Sequence, residues 1–332
     1  MAKVKHESSW YPLEPGESVL DALLRQGVSV PNACRAGACQ SCLMRAVAGP
    51  VPEAAQAGLK ETLRAQGYFL ACTCRPPEGT VLEVTGAEAL RVPARIATLT
   101  PLSPSVLRVR LETDSPLSYR AGQYLSLIRS DGLTRSYSLA SLPREDALEL
   151  HVRLLSGGAM SGWLAHDARP GDRLQVQGPV GSCFYVPGRP EQPLLLAGTG
   201  TGLAPLYGIV RDALEAGHAG PIWLFHGART PEGLYLTDAL RALAEQHPQL
   251  HYRPCVLEGG TRDVAEGALD VLIRAECPRP VGWRAWLCGD GPLVLSLRKK
   301  LFLAGLSLKE LHVDAFLPSV PLAQRLPDAG AR

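Results

Sequence analysis

The chain lacks any apolar run approaching the length of a membrane span, and its opening Met1-Ala-Lys-Val-Lys-His-Glu7 has no apolar core of a secretory leader. The expectation is therefore a cytoplasmic protein, with no membrane partner, whose nine cysteines stay reduced instead of forming a disulfide framework. An excess of charge of one sign is also missing. A net charge of +2, evenly spread, leaves no footprint for nucleic acid. There is no internal repeat, and the 46% apolar content excludes disorder except at the ends. At 332 residues, two or three domains can each bury a core.

What is present is a pattern of thiols. Cys34, Cys39 and Cys42, with Cys72 thirty residues on, give C-x4-C-x2-C…C, the ligand spacing of a plant-type [2Fe–2S] cluster. A structural zinc site would favour paired C-x2-C knuckles, and only Cys39 and Cys42 form one. The loop from Pro31 to Cys42 is rich in small residues, so backbone N–H groups can approach cluster sulfurs. Ala71-Cys-Thr-Cys74 offers two candidates for the fourth thiol; Cys72 directly follows the apolar strand-like run from Gly67. These residues resemble the ferredoxin domains of oxygenase reductases, in which the matching run ends in a Leu-Ala-Cys ligand, and the resemblance implies Cys72. Gln40 departs from the Cys-Gly-[Thr/Ser]-Cys usual there. Cys183, Cys255 and Cys277 are isolated and read as packed or partly exposed thiols.

Three segments follow one another. In residues 1–90, Ser18 to Gly27 carries a capping serine, an acid three residues later, helical apolar spacing and a terminal glycine; Val81–Val84 reads as a closing strand. From 91 to 190 the period changes to two, at 106–111, 124–128 and 148–154, as in an antiparallel barrel. From 191 to 317 strands at 193–196, 222–225 and 285–288 alternate with helices around 203–216, 234–246 and one ending by Gly305, implying a parallel sheet. Residues 318–332 belong to a proline-containing tail expected to be mobile.

Arg135-Ser136-Tyr137-Ser138 and Gly157-Gly158-Ala-Met-Ser161, in this order, resemble the flavin motifs of the ferredoxin–NADP reductase superfamily. A guanidinium can neutralise a pyrophosphate, and glycine N–H groups opening a helix can bind a phosphate oxygen. The resemblance implies Tyr137 against the flavin ring and Ser138 at its N5/O4 edge. Gly198-Thr199-Gly200-Thr201-Gly202-Leu-Ala-Pro205 lies between an apolar strand and a helix, where glycines let the backbone approach a dinucleotide pyrophosphate. It matches the nucleotide loop of the same superfamily. Trp286-Leu-Cys288-Gly289-Asp-Gly-Pro292 resembles its Cys-Gly-Pro-Pro turn, placing Cys288 near the nicotinamide, but departs at Asp290 and Gly291. His312-Val-Asp-Ala-Phe316 resembles the terminal strand that sets an aromatic beside the flavin, with Asp314 close by.

The resemblance covers Gly16 to Phe316 and implies a β-grasp ferredoxin domain, a flavin-binding antiparallel β-barrel and an α/β nucleotide domain in one monomeric chain. It implies FAD, a [2Fe–2S] cluster and NADH or NADPH, with hydride delivered to the flavin and single electrons leaving by way of the cluster. Arg229 ends a strand where it can meet a 2′-phosphate or stack on adenine; the oxygenase-reductase resemblance points to NADH. No Rieske histidine pair, haem signature or paired di-iron motif is present, and Glu215-Ala-Gly-His218 reads as a helix end. An acceptor protein is therefore expected: an oxygenase component, or alternatively a deoxysugar dehydratase system; a non-catalytic electron carrier or sensor is the other alternative. Arg25, Arg35 and Arg45 stand in an acid-free stretch from Ala22 to Pro52, with Arg75 just after the fourth ligand. Either they face an acidic docking surface on the acceptor, or they are unrelated solvated arginines or local compensation of the negatively charged cluster.

Overall fold

The computed structural model describes residues 1–30, 32, 35, 37, 42–85 and 91–316. They build three sheets. The chain divides into two compact units, one made of Met1–Arg91 with Gln177–Val186 and the other of Val92–Val176 with the chain from Pro187 onward. The tail expected at 318–332 lies outside the described residues.

The first unit contains β1 (Lys3–His6), β2 (Ser9–Pro12), α1 (Val19–Arg25), β3 (Leu43–Ala48), α2 (Glu61–Ala65), β4 (Tyr68–Leu70) and β5 (Val81–Thr85). Its sheet runs β2-β1-β5-β3-β4 and is mixed, with β1 parallel to β5 and the remaining pairs antiparallel. The α1 helix starts where the sequence says it should. Ser18 Oγ accepts from Asp21 N–H at 3.1 Å and donates to the Asp21 carboxylate at 2.6 Å, which satisfies an orphan donor and puts negative charge at the positive helix end. Gly27, at φ 84°, ends the segment. Val19, Leu20, Ala22 and Leu23 are buried in the core, each leucine contributing roughly 1.5–3 kcal/mol by leaving water.

The second sheet comprises β6 (Arg91–Ser103), β7 (Val106–Thr113), β8 (Tyr124–Ile128), β9 (Thr134–Ser138), β10 (Leu148–Arg153) and β11 (Arg173–Val180), with α3 (Ala159–His166) after β10. Its order is β10-β7-β6-β11-β8-β9, and an antiparallel bridge between Leu139 and Leu150 links the two ends, so the sheet closes as a barrel. Alternate residues such as Val109, Leu111, Leu125, Leu127, Leu150 and Val152 fill it.

The third sheet is parallel throughout, in the order β15-β14-β13-β12-β16-β17, from β12 (Leu194–Thr199), β13 (Ile222–Ala228), β14 (Leu250–Val256), β15 (Ala265–Glu266), β16 (Arg284–Asp290) and β17 (Leu311–Phe316). Its helices are α4 (Leu203–Glu215), α5 (Thr237–Gln246), α6 (Leu269–Glu276) and α7 (Gly291–Leu303). The chain enters at β12, moves outward to β15, then returns to the other side of β12. The carboxyl ends of β12 and β16 therefore flank the topological switch point, where open α/β sheets bind ligands. The helix expected from 234 begins only at Thr237, because Leu236 takes a left-handed φ of 55°. No helix among the described residues is long and apolar enough to cross a membrane.

Candidate functional site

In the first unit, β3 and β4 bring two of the four expected thiols together. Cys42 immediately precedes β3, Cys72 follows β4 after one residue, and Ala71 N–H donates to the Cys42 carbonyl at 3.1 Å. Cys34 and Cys39 lie outside the described residues. Gly37, between them in sequence, has φ 77°, and a Cβ there would stand 3.2 Å from Thr73 Cγ2 and 3.6 Å from Leu70 Cδ1. Gly37 thus sits against the turn that carries Cys72, and a set of four thiols is the soft donor chemistry an iron–sulfur cluster needs. Both rival cysteines are buried, Cys72 at 4% exposed and Cys74 at 0%. Cys74 is fully buried in the core, its N–H donates to Leu70 O at 3.1 Å, its carbonyl accepts from Val19 N–H at 2.8 Å, and burial pushes its thiol up to about 12.

The acid-free stretch looks different in three dimensions. Arg25 pairs with Glu17 at 2.7 Å and Arg35 with Asp21 at 3.6 Å, while Arg45 Nε donates to the Gln66 carbonyl at 3.0 Å. The carboxylates come from Glu17, just before α1, and Asp21, in its first turn, both beyond the limits of the sequence window, so much of the local positive charge is compensated. Arg75 is exposed.

In the second unit, β9 carries Arg135, Ser136, Tyr137 and Ser138, paired with Leu127, Ser126, Leu125 and Tyr124 of β8. Strand alternation puts Arg135 and Tyr137 on one face and Ser136 and Ser138 on the other. Arg135 and Tyr137 are half-buried, and burial pushes the Tyr137 phenol up to about 12, so it is a neutral donor at physiological pH. Gly157 has φ 68° and is exposed; Gly158 caps α3, where a Cβ would lie 2.4 Å from Ser161 Oγ and 3.1 Å from the Leu155 carbonyl. Ser161 is buried, and its hydroxyl accepts from Leu155 N–H at 3.2 Å, so in this state it braces the loop. A guanidinium on β9 and backbone N–H groups at the start of α3 are the donor types a diphosphate-bearing flavin nucleotide needs.

The nucleotide loop shows the closest backbone packing of the site. Gly198 ends the buried part of β12 and stands in register between His226 of β13 and Cys288 of β16, which in turn pairs with Asp314 of β17. A Cβ on Gly202 would meet the Cys288 carbonyl oxygen at 2.2 Å, and one on Gly289, at φ 119°, would meet the Thr199 carbonyl at 2.7 Å. Only glycines permit the loop after β12 to touch the turn after β16. Thr199, Gly200 and Thr201 remain half-buried, facing the switch point. The departure at Asp290 has a local reason: its carboxylate caps α7 by accepting from Leu293 N–H at 3.2 Å, and Pro292 follows in the first turn.

One side-chain contact joins the barrel motif to this row. Ser138 Oγ donates to Asp314 Oδ2 at 3.0 Å, and burial raises the Asp314 carboxyl against the opposing effect of that bond. Ser138, Asp314 and Cys288 therefore converge. Phe316, half-buried, ends β17 opposite Asp290. Arg229 is exposed just beyond β13, its carbonyl accepting from Leu257 and Glu258 N–H at 3.0 Å each. Glu215 ends α4, as the helix-end reading expects, and pairs with Arg144; His218 is buried. Cys183, Cys255 and Cys277 are all buried.

Residues 6–77 match the 2Fe-2S iron-sulfur cluster binding domain, 93–185 the oxidoreductase FAD-binding domain and 196–293 the oxidoreductase NAD-binding domain. The chain is 36% identical to the reductase subunit of an aromatic O-demethylase from an Amycolatopsis species, over 92% of this chain and 96% of that protein. It is 32% identical to the ferredoxin–NAD(P)(+) reductase component of the naphthalene 1,2-dioxygenase system of Pseudomonas putida, over 92% and 95%. Among solved structures, the Amycolatopsis cytochrome P450 reductase GcoB superposes with a TM-score of 0.66 at 31% identity, covering 96% of this chain and 99% of that one.

Proposed function

We propose, for a chain that belongs to the [2Fe–2S]-containing reductase components of oxygenase systems within the ferredoxin–NADP reductase superfamily, specific roles for the residues gathered above. The protein is an NAD(P)H-dependent oxidoreductase that binds FAD and a [2Fe–2S] cluster and passes electrons to a partner oxygenase component. When bound, the nicotinamide and flavin supply two-electron hydride chemistry and the cluster supplies one-electron transfer.

The residues do the positioning. Cys34, Cys39, Cys42 and Cys72 hold the cluster, and Cys74 stays a core thiol. Arg135, with the Gly157–Gly158 turn and Ser161, holds the flavin diphosphate; Ser136 and Tyr137 line its edge and ring. Gly198 to Gly202 takes the nucleotide pyrophosphate on the start of α4, and Cys288, Gly289 and Phe316 confine the ring stack. Arg229 lies at the adenosine end, and NADH is the preferred donor. The domains fall at 1–90, 91–190 and 191–317, followed by the 318–332 tail, in a cytoplasmic monomer. Arg35 and Arg75 meet an acidic face of the acceptor.

The observation that carries this reading is the Ser138–Asp314 hydrogen bond at 3.0 Å, beside Cys288 in register with Asp314. It sets a hydroxyl from the barrel motif and a half-buried carboxyl from the terminal strand at one point, where a proton can be held next to a reacting ring. Ser138→Ala in the holoprotein should slow flavin reduction by NADH roughly 100-fold, the usual cost of one preorganised donor, while flavin content stays at the wild-type level. An unchanged rate of flavin reduction would contradict the role given to Ser138.

A further inference from the structure

Within the second unit, a buried polar chain runs from the barrel into the parallel sheet and is used by none of the cofactor contacts proposed above. It begins on β10, where His151 Nε2 lies 2.9 Å from Glu149 Oε1 and Nδ1 lies 3.1 Å from the Tyr235 hydroxyl. The Tyr235 ring stands perpendicular to His151 at 5.3 Å and perpendicular to His226 of β13 at 5.4 Å. His226 Nδ1 is 3.1 Å from the Tyr252 hydroxyl on β14, and its Nε2 has no conventional hydrogen-bond partner among the described residues.

The proton positions follow from the chemistry. A carboxylate only accepts, so His151 Nε2 carries the proton, its Nδ1 accepts, and Tyr235 O–H donates. Burial lowers the pKa of both imidazoles, that of His226 to about 3; against its own burial, Glu149 is kept charged by the hydrogen bond from His151 and, less, by Arg108 at 3.4 Å. An apolar filling would give these elements adhesion without the desolvation cost of five polar side chains; what hydrogen bonds add is a fixed position. Tyr235 is the one member located in a loop, the segment from Arg229 to the left-handed Leu236 at φ 55°. That loop has Arg229 exposed at one end and Tyr235, 2% exposed, at the other.

We infer that Tyr235, clamped between His151 of the barrel and His226 of the sheet, is a positioning residue that fixes the Arg229 loop for the adenosine half of the nicotinamide nucleotide. The inference rests on the nucleotide-site reading given above. The test uses Tyr235→Phe in the holoprotein, which keeps the ring and removes the donor. KM for NADH should rise about three- to tenfold, the effect of one net hydrogen bond, with kcat, flavin content and cluster content at wild-type values. With reduced nicotinamide mononucleotide, which lacks the adenosine half, wild type and variant should show equal kcat/KM. His151→Gln, which still offers an acceptor to the phenol and a donor to Glu149, should hold KM for NADH within about twofold of wild type. Should Tyr235→Phe yield no holoprotein, His151→Leu, which leaves the phenol without its acceptor, takes its place under the same criteria. An unchanged KM for NADH, or equal losses with the full and the truncated nucleotide, overturns the role of Tyr235. A wild type that oxidises neither NADH nor NADPH overturns the proposed function itself.

Discussion

Gly202→Ala separates steric necessity from backbone preference at the nucleotide loop. Gly202 caps α4 with φ −60° and ψ −16°, a conformation alanine adopts freely, so backbone propensity alone, through the restricted unfolded chain, would make the substitution stabilising by about 0.4–1 kcal/mol. The new methyl would, however, sit 2.2 Å from the Cys288 carbonyl oxygen, 2.6 Å from its carbon and 2.8 Å from Gly289 Cα, all backbone atoms. Reaching ordinary contact requires the loop and the turn to separate by about 1 Å, and overpacking of this kind costs typically 1–3 kcal/mol, which outweighs the propensity gain. A 1 Å displacement of a positioning element costs about 100-fold in rate. Anaerobic stopped-flow reduction of the flavin by NADH should therefore show kcat/KM reduced about 100-fold, with flavin and cluster content unchanged. Gly217→Ala, at the end of α4 with φ 77° and nothing within 4 Å of the added Cβ, serves as the control for backbone strain without a clash. A Gly202→Ala protein with wild-type kcat/KM would refute the contact between loop and turn as the basis of nucleotide binding.

The remaining predictions concern the cluster, the Asp314 carboxyl and docking. Cys72→Ser should lose the cluster's visible absorption and destabilise the first unit, whereas Cys74→Ser, at a core position, should keep the cluster; equal cluster loss in both, measured by iron content and absorbance, would sink the assignment. Asp314 has a raised folded-state pKa, so its contribution to stability is full below the ordinary carboxylate value near 3.8 and is lost as pH rises through the raised value. Asp314→Asn should accordingly melt higher than wild type at pH 7, the gap closing toward pH 4, and a constant gap across that range in thermal melts would show the carboxyl is not perturbed. Arg75→Glu should slow reduction of the acceptor with a weakened salt dependence while NADH-driven flavin reduction is unaffected; identical, salt-independent rates for wild type and variant would remove the basic rim as the docking surface.

The sequence disclosed most where a physical requirement acts over a few residues. The α1 cap needs Ser18 and Asp21 three apart, and the helix appears there; the Gly198–Gly202 run marks the β12–α4 junction because only glycines tolerate the Cys288 carbonyl at that distance. Other features were hidden by long separations. His151 and Tyr235 are 84 residues apart, and Ser138 and Asp314 176, so no spacing rule could pair them. The acids that compensate Arg25 and Arg35 lie just outside the window whose lack of acids looked informative. β14 is hidden in the sequence because Pro254 breaks the alternation of Leu250, His251, Tyr252 and Arg253; its neighbour β15 contributes only two residues, Ala265 and Glu266, opposite Cys255 and Val256, so Pro254 disrupts little of that ladder. The start of α5 was misplaced by three residues, since nothing local announces the left-handed Leu236. The Asp290 departure was readable: an aspartate before Gly-Pro is a capping signal, and the carboxylate caps α7.

The central claim is that electrons enter from a nicotinamide nucleotide, pass the flavin and leave through a cluster held by Cys72. Its most direct test is anaerobic addition of NADH to the wild-type holoprotein and to the FAD-loaded Cys72→Ser protein, following visible absorbance together with the low-temperature EPR signal of a reduced [2Fe–2S] centre. Wild type should bleach in both the flavin and the cluster bands and develop the EPR signal, while Cys72→Ser should bleach in the flavin band alone. Absence of bleaching in wild type with both NADH and NADPH, or flavin reduction that never produces the EPR signal, would contradict the account.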